Sequence, residues 1–192
     1  MSSYEQFLAD LAVRESSGRY DIVNKLGYLG KYQMGESALM DAGYYQSDKK
    51  NDNHYSDRYW TGKDGVHSKT DFLKSPQAQE NAIREYMKVQ WQYLLHDNVD
   101  RFIGQTRFGI LITISGALAG AHLVGWSCVG SFVKQGKISF DRNIPKVPIT
   151  EYIQKFAGYD TPFKLRKKLT GIQKNKQRKT EAYQIDGHIR LR

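Results

Sequence analysis

Residues 75–94 of the 192-residue chain read Ser-Pro-Gln-Ala-Gln-Glu-Asn-Ala-Ile-Arg-Glu-Tyr-Met-Lys-Val-Gln-Trp-Gln-Tyr-Leu, and this stretch predicts the strongest helix of the fold. Pro76 suits the first helical position, because its ring fixes φ near the helical value and its missing N–H would be unpaired there in any case. One continuous helical face follows, formed by Ala78, Ala82, Ile83, Tyr86, Met87, Gln90, Trp91 and Leu94. A helix with such a face indicates a mainly α-helical domain.

Capping signals and apolar spacing predict further helices on both sides of this stretch. Ser3 and Gln6 form a capping-box pattern, and apolar residues then recur at helical spacing. This pattern predicts a first helix over about residues 4–15, which Gly18 ends. Four more helices are predicted over residues 35–42, 113–124, 127–135 and 149–156.

Two segments between these helices have the composition of irregular structure. Residues 19–34 are rich in glycine and tyrosine, which predicts loops or short strands. Residues 44–70 are polar and rich in turn formers, and a long ordered loop of this kind in a compact domain is usually functional or mobile. The predicted fold is therefore a mainly α domain with a small irregular or β lobe.

The net charge of +9 predicts attraction to polyanions, and most of it comes from the end of the chain. From Lys164 to Lys179 there are eight basic residues and no acidic one. We therefore expect a domain over residues 1–162 and a basic tail over residues 163–192. The tail suits either a solvated extension or electrostatic docking on wall polymer, membrane surface or nucleic acid.

The single cysteine and the apolar segments limit the cellular context. Cys128 is the only cysteine, so no intramolecular disulfide can form, and its aromatic neighbours in sequence predict a buried, inert thiol. The first residues show no basic region followed by an apolar one, so we expect no Sec-type signal peptide. The apolar run over residues 110–124 is short and interrupted by polar residues and glycines, which predicts a core helix.

Glu15 is the main catalytic candidate, because it ends an apolar helical segment shortly before a glycine-containing loop at residues 27–34. This order predicts a carboxyl group on the last helical turn, facing a groove. Partial burial disfavours the charged form of a carboxyl group, and so does the negative end of a helix dipole. A carboxylic acid held protonated beside a groove can donate a proton near neutral pH, as glycosidic bond cleavage requires.

Four short motifs occur in the same order as in the lysozyme-like lytic transglycosylases, which they resemble. The resemblance spans residues 4–160, most of the chain. The motifs are Glu15-Ser16, Gly30-Lys31-Tyr32-Gln33, Ala121-His122-Leu123-Val124-Gly125 and Thr150-Glu151-Tyr152-Ile153. The family has a Glu-Ser pair, a Gly-x-x-Gln loop, an Ala-Tyr-Asn-x-Gly segment and an active-site tyrosine at the corresponding places. The chain departs from this pattern at His122-Leu123, where the family has Tyr-Asn.

The resemblance implies a lysozyme-like fold and cleavage of the glycan strand of peptidoglycan, with no cofactor. In this family the glutamic acid protonates the glycosidic oxygen between N-acetylmuramic acid and N-acetylglucosamine. The resulting carboxylate then accepts the proton of the muramoyl C6 hydroxyl, which closes a 1,6-anhydro ring. The resemblance assigns the acid to Glu15 and a hydrogen-bonding partner of that acid to Tyr152.

An insertion at about residues 44–72 has no counterpart in the minimal family pattern and leaves hydrolysis open as an alternative. A hydrolase usually needs a second carboxylate to activate water. Asp57, Asp64 and Asp71 are the candidates, and Asp64 is preferred because a glycine-flanked loop can fold over a cleft, although it also suits a plain turn. Trp60, in the same polar segment, is the candidate for stacking on a sugar ring.

The remaining motif residues are expected to bind substrate or to orient the acid. We expect Gln33 to hydrogen-bond a sugar amide or hydroxyl, and Tyr28 and Tyr32 to present ring faces to the sugar. Ser16 is expected to fix the helix end beside the acid. His122 takes the place of the motif tyrosine, although a histidine on an apolar helix is often a core residue. The histidines lack ligand spacing, so no metal site is predicted.

A muralytic domain of this kind resembles phage lysis enzymes and effectors delivered by secretion systems. We expect synthesis in the cytoplasm and action in the periplasm or cell wall after lysis or delivery. Expected partners are peptidoglycan strands, secretion machinery and an immunity protein, with no specific nucleic acid. Two alternatives stay open: a true lysozyme or chitinase-like hydrolase with a second carboxylate, and a non-catalytic module that binds wall or nucleic acid through the basic tail.

Overall fold

The helix that follows Ser75 is the longest element of the computed structural model, which describes residues 3–50, 52–142 and 145–166. It runs over Pro76–His96, and the Ser75 Oγ accepts a hydrogen bond from the backbone N–H of Ala78 at 3.2 Å. The face predicted from the sequence is buried along its whole length, from Ala78 to Leu94. Burial of this face holds the helix in the centre of the fold.

The described residues are mainly helical, as predicted, and contain seven α-helices. In chain order these are α1 (Tyr4–Ser16), α2 (Glu36–Asp41), α3 (Lys69–Lys74), α4 (Pro76–His96), α5 (Ile114–Val124), α6 (Trp126–Gln135) and α7 (Ile149–Lys155). Three short 3₁₀ helices lie at Asp57–Tyr59, Lys63–Gly65 and Val99–Phe102. The strands β1 (Thr106–Arg107) and β2 (Ile110–Leu111) pair antiparallel.

Helix α3 and the β1–β2 hairpin were not predicted from the sequence. Helix α3 begins after Ser68, whose Oγ accepts a hydrogen bond from the backbone N–H of Asp71 at 3.1 Å, and it buries Phe72. Six residues with one buried side chain are too few to show helical periodicity. The strands are two residues each, so they show no alternation either.

Helix α5 is a buried core helix, as predicted for the apolar run that contains it. Residues 115–121 are buried, and the helix packs against α7, α6 and α4. Gly116 is required for the contact with α7, because a Cβ at this position would lie 2.4 Å from the carbonyl oxygen of Ile153. Within the described ranges, no helix is both long and apolar enough to cross a membrane.

Helix α1 ends at Ser16, one residue after Glu15, and its end is well defined. Ser17 adopts a left-handed conformation, and the backbone N–H of Gly18 donates to the carbonyl of Ala12 at 3.1 Å. Arg14 forms an ion pair with Glu151 of α7 at 2.7 Å. These contacts fix the last turn of α1 against α7.

The segment over residues 19–34 forms the small irregular lobe that the sequence predicted. Leu29 makes isolated antiparallel bridges to both Val23 and Met34. Gly30 has a φ of +67°, and a Cβ there would lie 2.0 Å from the Oε1 of Gln79. That oxygen accepts a hydrogen bond from the backbone N–H of Lys31 at 2.8 Å, which anchors the loop to α4.

The polar segment over residues 44–70 is more than a surface loop, because its aromatic side chains belong to the core. Tyr44, Tyr45 and Trp60 are buried, and an isolated bridge joins Tyr45 to Trp60. Trp60 also packs against Phe72 with ring centroids 5.8 Å apart. The segment therefore contributes to the stability of the domain.

The packed body extends past residue 162, where the sequence analysis placed the start of the basic tail. Phe163 packs edge-on against Tyr4, and the indole N–H of Trp91 donates to the carbonyl of Lys164 at 3.2 Å. Arg166 pairs with Asp100 at 2.5 Å. The rest of the predicted tail, residues 167–192, lies outside the described residues.

Candidate active site

Glu15 lies on the wall of a cavity of about 660 Å³. Its side chain is 15% exposed, so most of it is shielded from solvent while the carboxyl group borders the cavity. The volume is within the usual range for small-molecule sites in proteins. Glu15 therefore lies where it was predicted, at a helix end beside a groove.

Tyr152 is the hydrogen-bond partner of this acid. Its hydroxyl donates to the Oε1 of Glu15 at 2.7 Å. The pKa of Tyr152 is raised by burial and then by the neighbouring Glu15 carboxylate, so the phenol keeps its proton and remains a donor. The close contact of α7 with α5 positions Tyr152, and the Arg14 guanidinium lies 5.6 Å from its ring centre.

His122 approaches the same carboxyl group from α5. Its Nε2 lies 3.8 Å from the Oε1 of Glu15, which is longer than a hydrogen bond. The His122 side chain is 5% exposed, and the edge of its ring packs against Tyr86 with centroids 5.7 Å apart. Its Nδ1 is buried, with no hydrogen-bond partner among the described residues. His122 is therefore both a core residue and a polar neighbour of the acid.

The Gly30–Gln33 loop forms another part of the cavity wall. Gln33 lines the cavity with a φ of +46°, and its side-chain amide donates to the carbonyl of Gly30 at 2.9 Å. Ser16 ties this loop to the helix that carries the acid, because its Oγ donates to the carbonyl of Lys31 at 2.7 Å. Ser16 thus links the end of α1 to the loop that carries Gln33.

The two tyrosines expected to contact sugar have different positions. Tyr28 lines the cavity, where its ring is available to a ligand. Tyr32 is 1% exposed, and its hydroxyl donates to the Oε2 of Glu80 at 2.8 Å. The expectation for Tyr32 is corrected accordingly: its ring belongs to the core, because Glu80 and the packing around it hold it inside.

Asp64 and Trp60 lie away from the acid, contrary to the expectation for both. Asp64 lines a separate cavity of about 500 Å³. Hydrogen bonds from Asn81 and Tyr44 hold the pKa of its carboxyl below the usual range, so it stays ionised. Trp60 is 7% exposed and packs in the aromatic core, so its ring is closed to a sugar in this cavity.

Several carboxylates that sequence reasoning missed line the same cavity as Glu15. Asp41 accepts hydrogen bonds from Gln90 at 2.9 Å and Tyr93 at 3.2 Å, and burial raises its pKa in spite of them. The one signal for Asp41 is Gln90, a polar residue on the buried face of α4 that needs a partner. Glu36 and Asp141 also border the cavity. Cys128 borders it too, and the prediction that this thiol is buried is corrected, because the residue is only half-buried.

Glu36 belongs to a group of three carboxylates with metal-binding spacing, together with Asp48 and Asp52.

Glu15 has a tyrosine and a histidine as its polar neighbours. A shielded carboxyl group with a phenol donor, at the wall of a cavity with polar lining, is equipped to give and take a proton at a bound ligand.

The chain gives no match to any protein-family model, and comparisons with curated proteins and with solved structures give none either.

Proposed function

We propose that the chain cleaves the β-1,4 glycosidic bond between N-acetylmuramic acid and N-acetylglucosamine in peptidoglycan, as a lytic transglycosylase. The main support is the hydrogen bond from Tyr152 to Glu15 on the cavity wall. These residues are 137 positions apart, and the resemblance named both of them as the acid and its tyrosine partner. An accidental pairing of two unrelated residues is a poor explanation for that agreement.

A lysozyme-like architecture is part of this proposal. Its support is the arrangement of elements around the acid: α1 ends at the cavity, the bridged lobe over residues 19–34 follows it, and α5 and α7 back the site. Gln33 and His122, from two of the motifs that carry the resemblance, line the same cavity as Glu15.

In the proposed reaction Glu15 acts first as an acid and then as a base. The protonated carboxyl donates to the glycosidic oxygen, the C1–O bond breaks, and positive charge develops at C1 of the muramoyl residue. The C6 hydroxyl oxygen of the same residue then bonds to C1, and the Glu15 carboxylate takes the hydroxyl proton. Because Tyr152 donates to Oε1, Oε2 is the oxygen that carries the transferred proton.

Tyr152 is a positioning residue in this scheme, because it acts through Glu15. Its donated hydrogen bond fixes the plane of the carboxyl group and stabilises the carboxylate formed after the first proton transfer. Tyr28 and Gln33 line the cavity and are proposed to contact the sugar, one with a ring face and the other with an amide.

Hydrolysis by a muramidase or chitinase-like enzyme is the second candidate function, and Asp41 favours it. Asp41 borders the same cavity as Glu15, so it replaces Asp64 as the candidate for a second carboxylate. Burial raises its pKa toward the range in which a carboxylate accepts a proton from water more readily. In this alternative a water molecule, rather than the C6 hydroxyl, bonds to C1.

Mass spectrometry of products released from purified peptidoglycan tests the proposal, with wild type compared with Glu15→Gln. We expect anhydro-muropeptides from wild type and a rate at least about 100-fold lower for the variant, since general acid–base catalysis contributes about that much or more. Glu5→Gln is the matched control: it lies on the same helix and is exposed, and it should keep full activity.

Other products would change the conclusion. Reducing-end products without the anhydro ring would replace the transglycosylase with a hydrolase, and Asp41→Asn, but not Asp64→Asn, should then abolish their release. No release by wild type would contradict the enzyme proposal. Salt-sensitive binding to wall polymer without turnover would then favour the binding module.

The proposed setting is the bacterial cell wall, which the protein reaches after cell lysis or through a secretion system. An immunity protein in the producing cell is the partner that a delivered enzyme of this kind requires. The basic residues from Lys164 to Lys179 are proposed to dock on anionic polymer, and most of them lie outside the described residues.

A further inference from the structure

Glu36, in the first turn of α2, has a buried carboxyl group. The residue is 1% exposed, and no donor of the described residues meets either carboxylate oxygen in hydrogen-bonding geometry. Burying an unpaired carboxylate is costly, so natural proteins usually pair such a group with a donor or a cation.

Two further carboxylates lie beside Glu36. One oxygen each of Glu36, Asp48 and Asp52 lies within 4.8 Å of the other two. His54 lies 3.4 Å from the second carboxylate oxygen of Asp52 and is almost fully exposed. Three carboxylates at this spacing repel one another, and no hydrogen-bond partner among the described residues offsets that repulsion at the buried Glu36 carboxylate.

The donor set fits calcium. Ca²⁺ takes six to eight oxygen ligands in a flexible arrangement and completes a set of carboxylates with water or backbone carbonyls. Mg²⁺ demands near-octahedral geometry and usually keeps several waters, so it is bound through one or two carboxylates rather than three. The donors are all carboxylate oxygens, which favours a hard cation over zinc or copper.

We infer that Glu36, Asp48 and Asp52 form a calcium site that joins Asp48 and Asp52 to the start of α2. The site would also hold one wall of the large cavity. Asn53, directly after Asp52, borders that cavity and accepts a hydrogen bond from the backbone N–H of Glu36 at 2.8 Å. Its side-chain amide donates to the carbonyl of Leu26 at 2.9 Å. This inference stands apart from the catalytic proposal.

Isothermal titration of the chelator-treated full chain with CaCl₂ tests the site, and MgCl₂ is titrated in parallel. We expect one Ca²⁺ ion bound per chain and weaker binding of Mg²⁺. Asp48→Asn and Glu36→Gln should each weaken Ca²⁺ binding by about tenfold or more, because charge count sets the affinity of such sites. Asp57→Asn is the matched control: it is an exposed aspartate of the same segment outside the cluster, and its affinity should equal that of wild type.

Thermal unfolding separates a lost site from a damaged fold. Saturating Ca²⁺ at about 100 times Kd should raise the Tm of wild type by about 5 to 10 °C. Glu36→Gln should lose this response, yet without Ca²⁺ it should unfold no lower than wild type, since it removes a buried charge. Absence of heat and of a Tm shift with millimolar Ca²⁺ in wild type would overturn the site. An equal loss of affinity in Asp57→Asn would overturn it as well.

Discussion

Replacement of Tyr152 by phenylalanine removes one hydrogen bond to the acid and little else. The hydroxyl donates to Glu15 at 2.7 Å, while the ring is 3% exposed and packs against Phe156 with centroids 5.4 Å apart. Phenylalanine keeps the ring and its packing. A hydrogen bond to a charged group contributes about 1.5 to 3 kcal/mol. If that energy is realised as the carboxylate forms, kcat falls about 10- to 150-fold.

The assay is the release of muropeptides at saturating peptidoglycan, with KM measured separately. We expect KM to stay within about twofold of wild type, because the phenol contacts the acid and not the substrate. Tyr159→Phe is a close control: its hydroxyl donates to Asp10 of the same helix α1 at 2.6 Å, and Asp10 does not border the cavity. Both variants should lose similar stability, and only Tyr152→Phe should lose activity.

Two results would refute this reasoning. A folded Tyr152→Phe protein with the kcat of wild type would show that the hydrogen bond has no part in turnover. An equal loss of activity in both tyrosine variants would mean that the effect comes from a loosened α1 and not from the acid.

Two further predictions concern the stability of the fold. Burial acts to raise the pKa of Glu80, but hydrogen bonds from neighbouring lysine and tyrosine side chains outweigh it and hold the pKa below the usual range. Glu80→Gln should therefore cost about 1 to 3 kcal/mol of unfolding free energy at pH 7. The deficit should shrink as the pH falls below about 4, through the folded pKa, when measured by urea denaturation. The more exposed Glu85→Gln should change stability by under about 0.5 kcal/mol at either pH. Gly116→Ala places a Cβ 2.4 Å from the carbonyl oxygen of Ile153, and should lower stability by about 1 to 3 kcal/mol in thermal unfolding. Gly120→Ala meets a flexible side-chain atom at 3.1 Å, and an equal or larger loss there would contradict the packing argument.

Local signals were enough to predict six of the seven α-helices of the described residues, all except α3. Ser3 and Ser75 cap α1 and α4 as their patterns indicated, because a cap depends on residues three positions away. The position of Glu15 at a helix end was predictable for the same reason: it is followed by a left-handed helix end and a glycine loop, and both are short-range features.

Local sequence signals could not predict the path of the polar segment over residues 44–70. Asp64 was expected at the cleft because of its flanking glycines and Trp60 because of its polar segment, but long-range contacts with Asn81 and the aromatic core decide where they lie. Asp41 and the carboxylate of Glu36 were missed for the same reason. Both lie in α2, a short helix whose position depends on contacts with distant parts of the chain, such as Gln90 and Asn53.

The two sides of the large cavity are supported by different kinds of structure. Helices α5 and α7, in glycine-mediated contact, carry the two neighbours of the acid, His122 and Tyr152. Tyr28 and Asn53, which also line the cavity, come from irregular segments tied by side-chain hydrogen bonds. Under the proposed function, mutations in these segments should alter ligand recognition with little effect on the geometry around Glu15. Such a division would let evolution, or a directed-evolution library, change which ligand is accepted while the proposed chemistry stays constant.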